Sequence, residues 1–180
     1  MHSSIPKIRT LSHYKRQRTD IDTVPVRAAD IPALHAFIMD VLGPGIASVD
    51  TVRAVHAKQP FSIWKVMDTR GAMTGTYAFL YLNAAGHAAV RENRFNSREP
   101  DLAHLAAAPE DVVAIFTWCL VLRGKSKAAL LKAATWLDLC GWDEVPMFTN
   151  PVTPEGSRLA RMLGFRPIDA TGANSVHVVN

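Results

Sequence analysis

No stretch of this sequence approaches the ~18 consecutive apolar residues that a membrane-crossing helix requires, so a spanning segment is not expected. The N-terminus also lacks the apolar core of a secretory signal. Cysteine is scarce: Cys119 and Cys140 are the two in 180 residues, and they form no Cys-x-x-Cys pair. A disulfide framework is therefore excluded, and a reducing cytoplasm is the expected setting. No set of His, Cys, Asp and Glu has metal-ligand spacing. Repeats and linkers are missing too. A chain that is 48% hydrophobic and 20% charged then reads as one ordinary globular domain.

Acid is absent from the first 18 residues, which hold Lys7, Arg9, Lys15, Arg16 and Arg18. Those 18 residues carry +5 against a formal net charge of +4, so residues 19–180 are at −1. The basic balance thus belongs to a polar terminal arm, assigned to residues 1–22, and argues against a nucleic-acid-binding body. The domain proper is assigned to residues 23–180.

Within it, residues 24–27 read as a short strand and 31–42 as a helix capped by Asp30 and stopped by Gly43-Pro44-Gly45. Leu34, Phe37, Ile38 and Val41 recur at helical spacing. A short helix follows Asp50 and ends before Pro60. Residues 61–67 and 74–82 are aromatic and β-branched around Asp68-Thr69-Arg70-Gly71, which predicts a hairpin. Periodicity then lapses over 83–111, a long excursion with one helical turn expected at 102–107. Residues 112–122 are nearly all apolar, as in a central strand buried on both faces. A helix at 126–139, a strand at 144–149, a helix at 154–163 and a strand at 165–168 follow. Residues 176–179 are expected as a last strand at an edge. Trp118, Trp136 and Trp142 are expected to fill gaps in packing.

Arg123-Gly124-Lys125-Ser126 ends the central strand in the tail of a nucleotide-binding P-loop. A Walker loop starts with a glycine five positions before its Gly-Lys, and that position is Cys119, inside the strand. No residues remain to wrap a triphosphate. A tight strand-to-helix turn instead aims backbone amides and a helix dipole at some other phosphate.

Arg123-Gly124-Lys125-Ser126-Lys127-Ala128 resembles the Arg/Gln-x-x-Gly-x-Gly/Ala signature of the GNAT superfamily of acyl-CoA-dependent N-acyltransferases, with Ser126 in place of one glycine. Asn150 at the end of the next strand, and Arg158 to Leu163 running into Gly164-Phe165, match that superfamily in order and spacing. The resemblance covers residues 24–168. It implies an α/β fold, a mixed central sheet of about six to seven strands flanked by helices. It also implies transfer of an acyl group, acetyl above all, from acyl-CoA to an amine. The cofactor-binding residues it implies are the backbone of Leu120, Val121 and Leu122 facing the thioester, the turn from Arg123 through Gly124, Lys125, Ser126 and Lys127 to Ala128, and Asn150 on the pantetheine arm. The Ser126 hydroxyl is expected to donate to phosphate.

For the chemistry, the resemblance points to a base at the start of the central strand, where Glu110 and Asp111 stand, with His87 and His104 as further candidates. Many members carry a proton-donating tyrosine where this chain has Ala160; Ser157, one turn earlier, is the substitute on offer. Arg91, Arg94 and Arg98 beside Glu92, Glu99 and Asp101 make the excursion a polar mouth for an amine acceptor that the residues do not name. Self-association as a homodimer is compatible with all of this. A GNAT-like domain that binds CoA or another ligand without catalysing is the alternative.

Overall fold

The computed structural model describes residues 21–142, 144–168 and 176–179, apart from the side chains of Lys125 and Lys127. Among the described residues seven strands form one sheet in the order β1-β2-β3-β4-β5-β7-β6: β1 Ile21–Pro25, β2 Ile63–Asp68, β3 Met73–Leu82, β4 Ala114–Leu122, β5 Met147–Thr149, β6 Arg166–Pro167 and β7 His177–Val179. The first four run antiparallel to their neighbours, and β4 and β5 are parallel. The helices are α1 Ile31–Leu42, α2 Val49–Lys58, α3 Ala84–Arg91, α4 Ala129–Leu139 and α5 Pro154–Met162.

Most of the basic arm lies outside the described residues, but the sheet begins two residues inside the stretch assigned to it. Ile21 pairs with Asp68, and its carbonyl accepts from Lys132 Nζ on α4 at 2.9 Å. Asp30 stands at the start of α1 without a side-chain cap bond. Its carboxylate accepts instead from Lys65 Nζ at 2.8 Å, and that bond holds it below the usual carboxylate range.

The excursion departs from expectation in having α3. Asn83 caps it, with Oδ1 accepting from Gly86 N at 3.0 Å, and Ala89 and Val90 are buried. An alanine-rich stretch of eight residues has too little apolar contrast to show a period. The expected turn does form, as a 3-10 helix over Leu102–His104. The last strand is not at an edge: β7 inserts between β5 and β6, leaving Arg166–Pro167 outermost. Pro167 has no N–H to offer and suits an edge, whereas Val178 packs beside Phe148.

Apolar clusters cover both faces. On one, α4 sets Ala129, Ala133 and Leu137 against Tyr77, Phe79, Tyr81 and Ile115. On the other, α1 and α2 pack Leu34, Val52 and Ile31 over Ile63 and Ala78, and α3 brings Val90 to Leu80 and Phe116. Trp136 and Trp142 pack against the first face as expected.

Candidate functional site

Two irregularities in β4 build the site. Its register against β3 slips between Ala78/Cys119 and Phe79/Thr117, so Trp118 is an extra residue on β4. A bulge inverts side-chain alternation. Ahead of it, Ala114 and Phe116 face the α1 side and Ile115 the α4 side; beyond it, Leu120 and Leu122 face α4. At the bulge, Trp118 and Cys119 both point to the α1 side. The second irregularity is that β4 and β5 pair only from Ile115/Met147 to Thr117/Thr149 and then part. On that side the backbone of Trp118–Leu122 has no strand partner among the described residues. Burial follows the same line, complete at Ala114–Phe116 and partial over Thr117–Leu120.

Where the strands part, a cavity of about 490 Å³ opens between β4, α1, the loop after α1 and residues 95–98. This is the size of a small-ligand site. Phe116, Trp118, Cys119 and Thr76 line its floor, Leu34, His35 and Ile38 one wall, and Asn150 the side towards β5. The segment opposite is pinned to the bulge. Trp118 Nε1 donates to the Ser97 carbonyl at 2.6 Å, and Phe95 packs its ring on Phe116 with centroids 5.0 Å apart. Trp118 therefore organises the cavity as well as filling space.

Two titratable side chains lie in the wall. His35 Nε2 is 3.0 Å from the Ala47 carbonyl. A carbonyl can only accept, so Nε2 carries the hydrogen and the neutral ring keeps its lone pair on Nδ1. The other is Cys119, whose thiol desolvation pushes up to about 12. A thiol so rarely ionised at neutral pH is a poor nucleophile. Cys119→Ala is therefore expected to keep any transfer activity within a few-fold, and mass spectrometry should find no acyl group on Cys119 after incubation with an acyl thioester. A stable adduct at that residue would reverse this conclusion.

The turn after β4 does not line the cavity. Gly124 has φ +55, the left-handed conformation glycine accepts most readily, and a 3-10 turn over Gly124–Ala128 leads into α4. Ser126 is buried, and its hydroxyl donates to the Arg123 carbonyl at 2.6 Å. That hydrogen closes the turn on its own main chain. Arg123 reaches away to α1, with Nη2 2.6 Å from Asp40 Oδ2 and its guanidinium 4.8 Å above the Phe37 ring. Ala128 is half-buried against the α4-side cluster. The side chains of Lys125 and Lys127 lie outside the described residues. Leu120 and Leu122 turn their side chains to the α4 face and Val121 is buried, so the implied contribution of all three rests on their backbone.

Glu110 and Asp111 sit exposed on a 3-10 turn ahead of β4 and do not line the cavity. Neither do His87, whose ring packs at 5.5 Å on Phe148 and is held below the usual imidazole range by burial, nor His104, packed at 6.3 Å on Phe95. The Ser157 hydroxyl donates to the Thr153 carbonyl at 3.1 Å, one turn back in α5, and Ala160 is buried. Sequence reasoning missed His35. It stands among Leu34, Phe37 and Ile38 on a helix read only for its apolar face, and its polar neighbour Ala47 is twelve residues away. Among the described residues no helix is long and apolar enough to cross a membrane, and no three metal-ligating side chains are grouped.

No family model matches the chain, and no curated protein sequence does. Solved structures do match. A GNAT-family acetyltransferase from Staphylococcus aureus superposes with a TM-score of 0.58 at 10% identity, covering 89% of this chain and 98% of its own. Ard1 from Thermoplasma volcanium gives 0.55 at 9% identity, covering 88% and 95%. Naa50 from Arabidopsis thaliana, in complex with the bisubstrate analogue CoA-Ac-MVNAL, gives 0.54 at 14% identity, covering 88% and 96%. Each spans nearly all of the described chain. The fold is that of the GNAT superfamily, a single α/β domain with a mixed seven-stranded sheet.

Proposed function

We propose that this chain is an N-acyltransferase that carries an acyl group, acetyl in the first instance, from acyl-CoA to the amine of a small acceptor. The observation that carries the reading is the parting of β4 from β5 beside a cavity, with Asn150 and the Trp118–Cys119 bulge in its lining. The same fold in Naa50 holds a CoA-containing bisubstrate analogue. Bound acyl-CoA supplies an acyl thioester. Transfer forms an N–C bond to the acceptor as the thioester C–S bond breaks, and the proton the amine loses ends on the leaving thiolate.

On the side facing β5, where it has no strand partner among the described residues, the backbone of Trp118–Leu122 offers amides to polarise a thioester carbonyl, a role in which fixed dipoles need no reorganisation. The backbone of the turn from Arg123 to Ala128 takes the pyrophosphate, and Asn150 the pantetheine arm. His35 is our assignment for the base, because it lines the cavity and its Nε2 bond to the Ala47 carbonyl leaves Nδ1 as the ring nitrogen able to accept an ammonium proton. Glu110 or Asp111, ahead of β4 with no ion-pair partner among the described residues, is the second base reading, acting through water.

Acyl-CoA is expected to raise the melting temperature and ATP with magnesium to leave it unchanged. At about a hundredfold excess over Kd a ligand specific to the folded state adds ~2.7 kcal/mol. Differential scanning fluorimetry with acetyl-CoA, longer acyl-CoAs and both nucleotides checks this; stabilisation by nucleotide alone would refute the reading. A second function, a CoA-binding domain with little catalysis, draws on the buried Ala160 and on the hydroxyls of Ser126 and Ser157, both donated to main chain. Stabilisation by acyl-CoA with no amine acylated would favour it.

A further inference from the structure

The cavity wall is unbalanced in charge. Among the described residues that line it, Arg98 is the one fixed charge, and none is aspartate or glutamate. A site for a second cation, as in a polyamine or a lysine-rich segment, would need acid to offset desolvation of that charge. The rest of the wall is apolar through Leu34, Ile38, Leu42, Ile46 and Phe95. Arg98 is exposed, but the backbone that carries it is held in place: its main-chain N–H donates to Asn96 Oδ1 at 3.1 Å, and the carbonyl of its neighbour Ser97 accepts from the Trp118 indole at the β4 bulge. Its guanidinium packs on the loop after α1, where a Cβ at Gly45 would stand 3.2 Å from Nη2. Arg94, in the same segment, is paired with Glu92, whereas Arg98 has no carboxylate partner among the described residues.

We infer that the acceptor is a small amine that also bears a carboxylate and an apolar side chain, in chemical terms a hydrophobic amino acid. The inference rests on the acyltransfer reading for its amine and on the wall of the cavity for the rest. Arg98 forms a charge-assisted pair with the carboxylate, the planar fork of guanidinium matching its two oxygens. The side chain lies along Leu34 and Phe95, and the amine is left towards His35 and the bulge. A carboxylate also fixes which end of the molecule enters first. With the Arg98 backbone held beside the bulge through the Ser97 carbonyl and Trp118, that end is set relative to the β5-facing backbone of β4.

Binding without any donor gives the test. Isothermal calorimetry on the full chain would compare L-leucine and N-acetyl-L-leucine with isoamylamine, which lacks the carboxylate, and with spermidine. The carboxylated ligands are expected to bind roughly 10- to 100-fold more tightly, the range of a hydrogen bond to a charged group. Arg98→Gln should erase that preference while leaving acetyl-CoA affinity and melting temperature unchanged. Equal or tighter binding of isoamylamine or spermidine would overturn the inference, as would an Arg98→Gln variant that keeps its preference for carboxylate. A loss of acetyl-CoA affinity in that variant would also overturn it, by assigning Arg98 to the CoA phosphates. Failure of the wild type to bind acetyl-CoA, with leucine preference intact, would refute the acyltransfer reading alone.

Discussion

His35→Gln is expected to lower turnover by about 10²- to 10⁴-fold, the usual contribution of a positioned general base, while acyl-CoA affinity stays within a few-fold of wild type. Glutamine is the informative replacement. Its amide N–H can still donate to the Ala47 carbonyl, now 3.0 Å from His35 Nε2, so the loop after α1 keeps its tether. What it cannot do is take up a proton. The two wall groups divide sharply in this respect, because the Cys119 thiol, pushed up to about 12, is already protonated and has nothing to accept with. Glu110→Gln and Asp111→Asn provide the contrast. Both carboxylates stand exposed outside the cavity lining, and on the His35 assignment each variant should turn over near the wild-type rate. Initial rates with saturating acetyl-CoA and one accepted amine decide between the two. Normal turnover in His35→Gln together with a large loss in Glu110→Gln or Asp111→Asn would hand the base to the carboxylates acting through water.

The largest expected loss of stability is at Gln59, a buried side chain at the end of α2. Its Nε2 donates to the Tyr81 carbonyl at 2.7 Å and to the Ala106 carbonyl at 3.0 Å, and its Oε1 accepts from Tyr81 N at 3.1 Å. One amide thereby joins α2, β3 and the return of the excursion. In Gln59→Leu the volume is nearly kept, but Tyr81 N and the Ala106 carbonyl lose this partner in a dry environment. Each such group costs about 1–3 kcal/mol, so a loss of roughly 3 kcal/mol or more is expected. For a chain of this size that is a fall of roughly 6–12 °C in melting temperature. Chemical denaturation should show the midpoint lowered with its slope unchanged, the mark of a destabilised native state. A midpoint that does not move would mean that other groups or water satisfy Tyr81 N and Ala106 O.

What the sequence determined by itself was the order of elements and the kind of turn after β4. Strong apolar runs and well-placed breakers carry that information locally. The helix at Ile31–Leu42, the hairpin around Gly71 and the passage from Leu122 through Gly124 into α4 all lie within a few residues of where their patterns put them. The α3 helix was not legible because Ala84-Ala85-Gly86-His87-Ala88-Ala89 has hardly any polar–apolar contrast. Its one usable signal was Asn83 as a cap. The site belongs to the tertiary structure. A bulge at Trp118 inverts alternation, and the sequence of β4, apolar throughout, is indifferent to which face each residue takes. The parting of β4 and β5 lies beyond Thr117 and Thr149, where two strands some thirty residues apart in the chain stop pairing. His35 gained its meaning from Ala47, and Arg98 from Trp118 and Gly45. Each is a contact between segments whose own patterns are complete without it, and only packing brings such segments together.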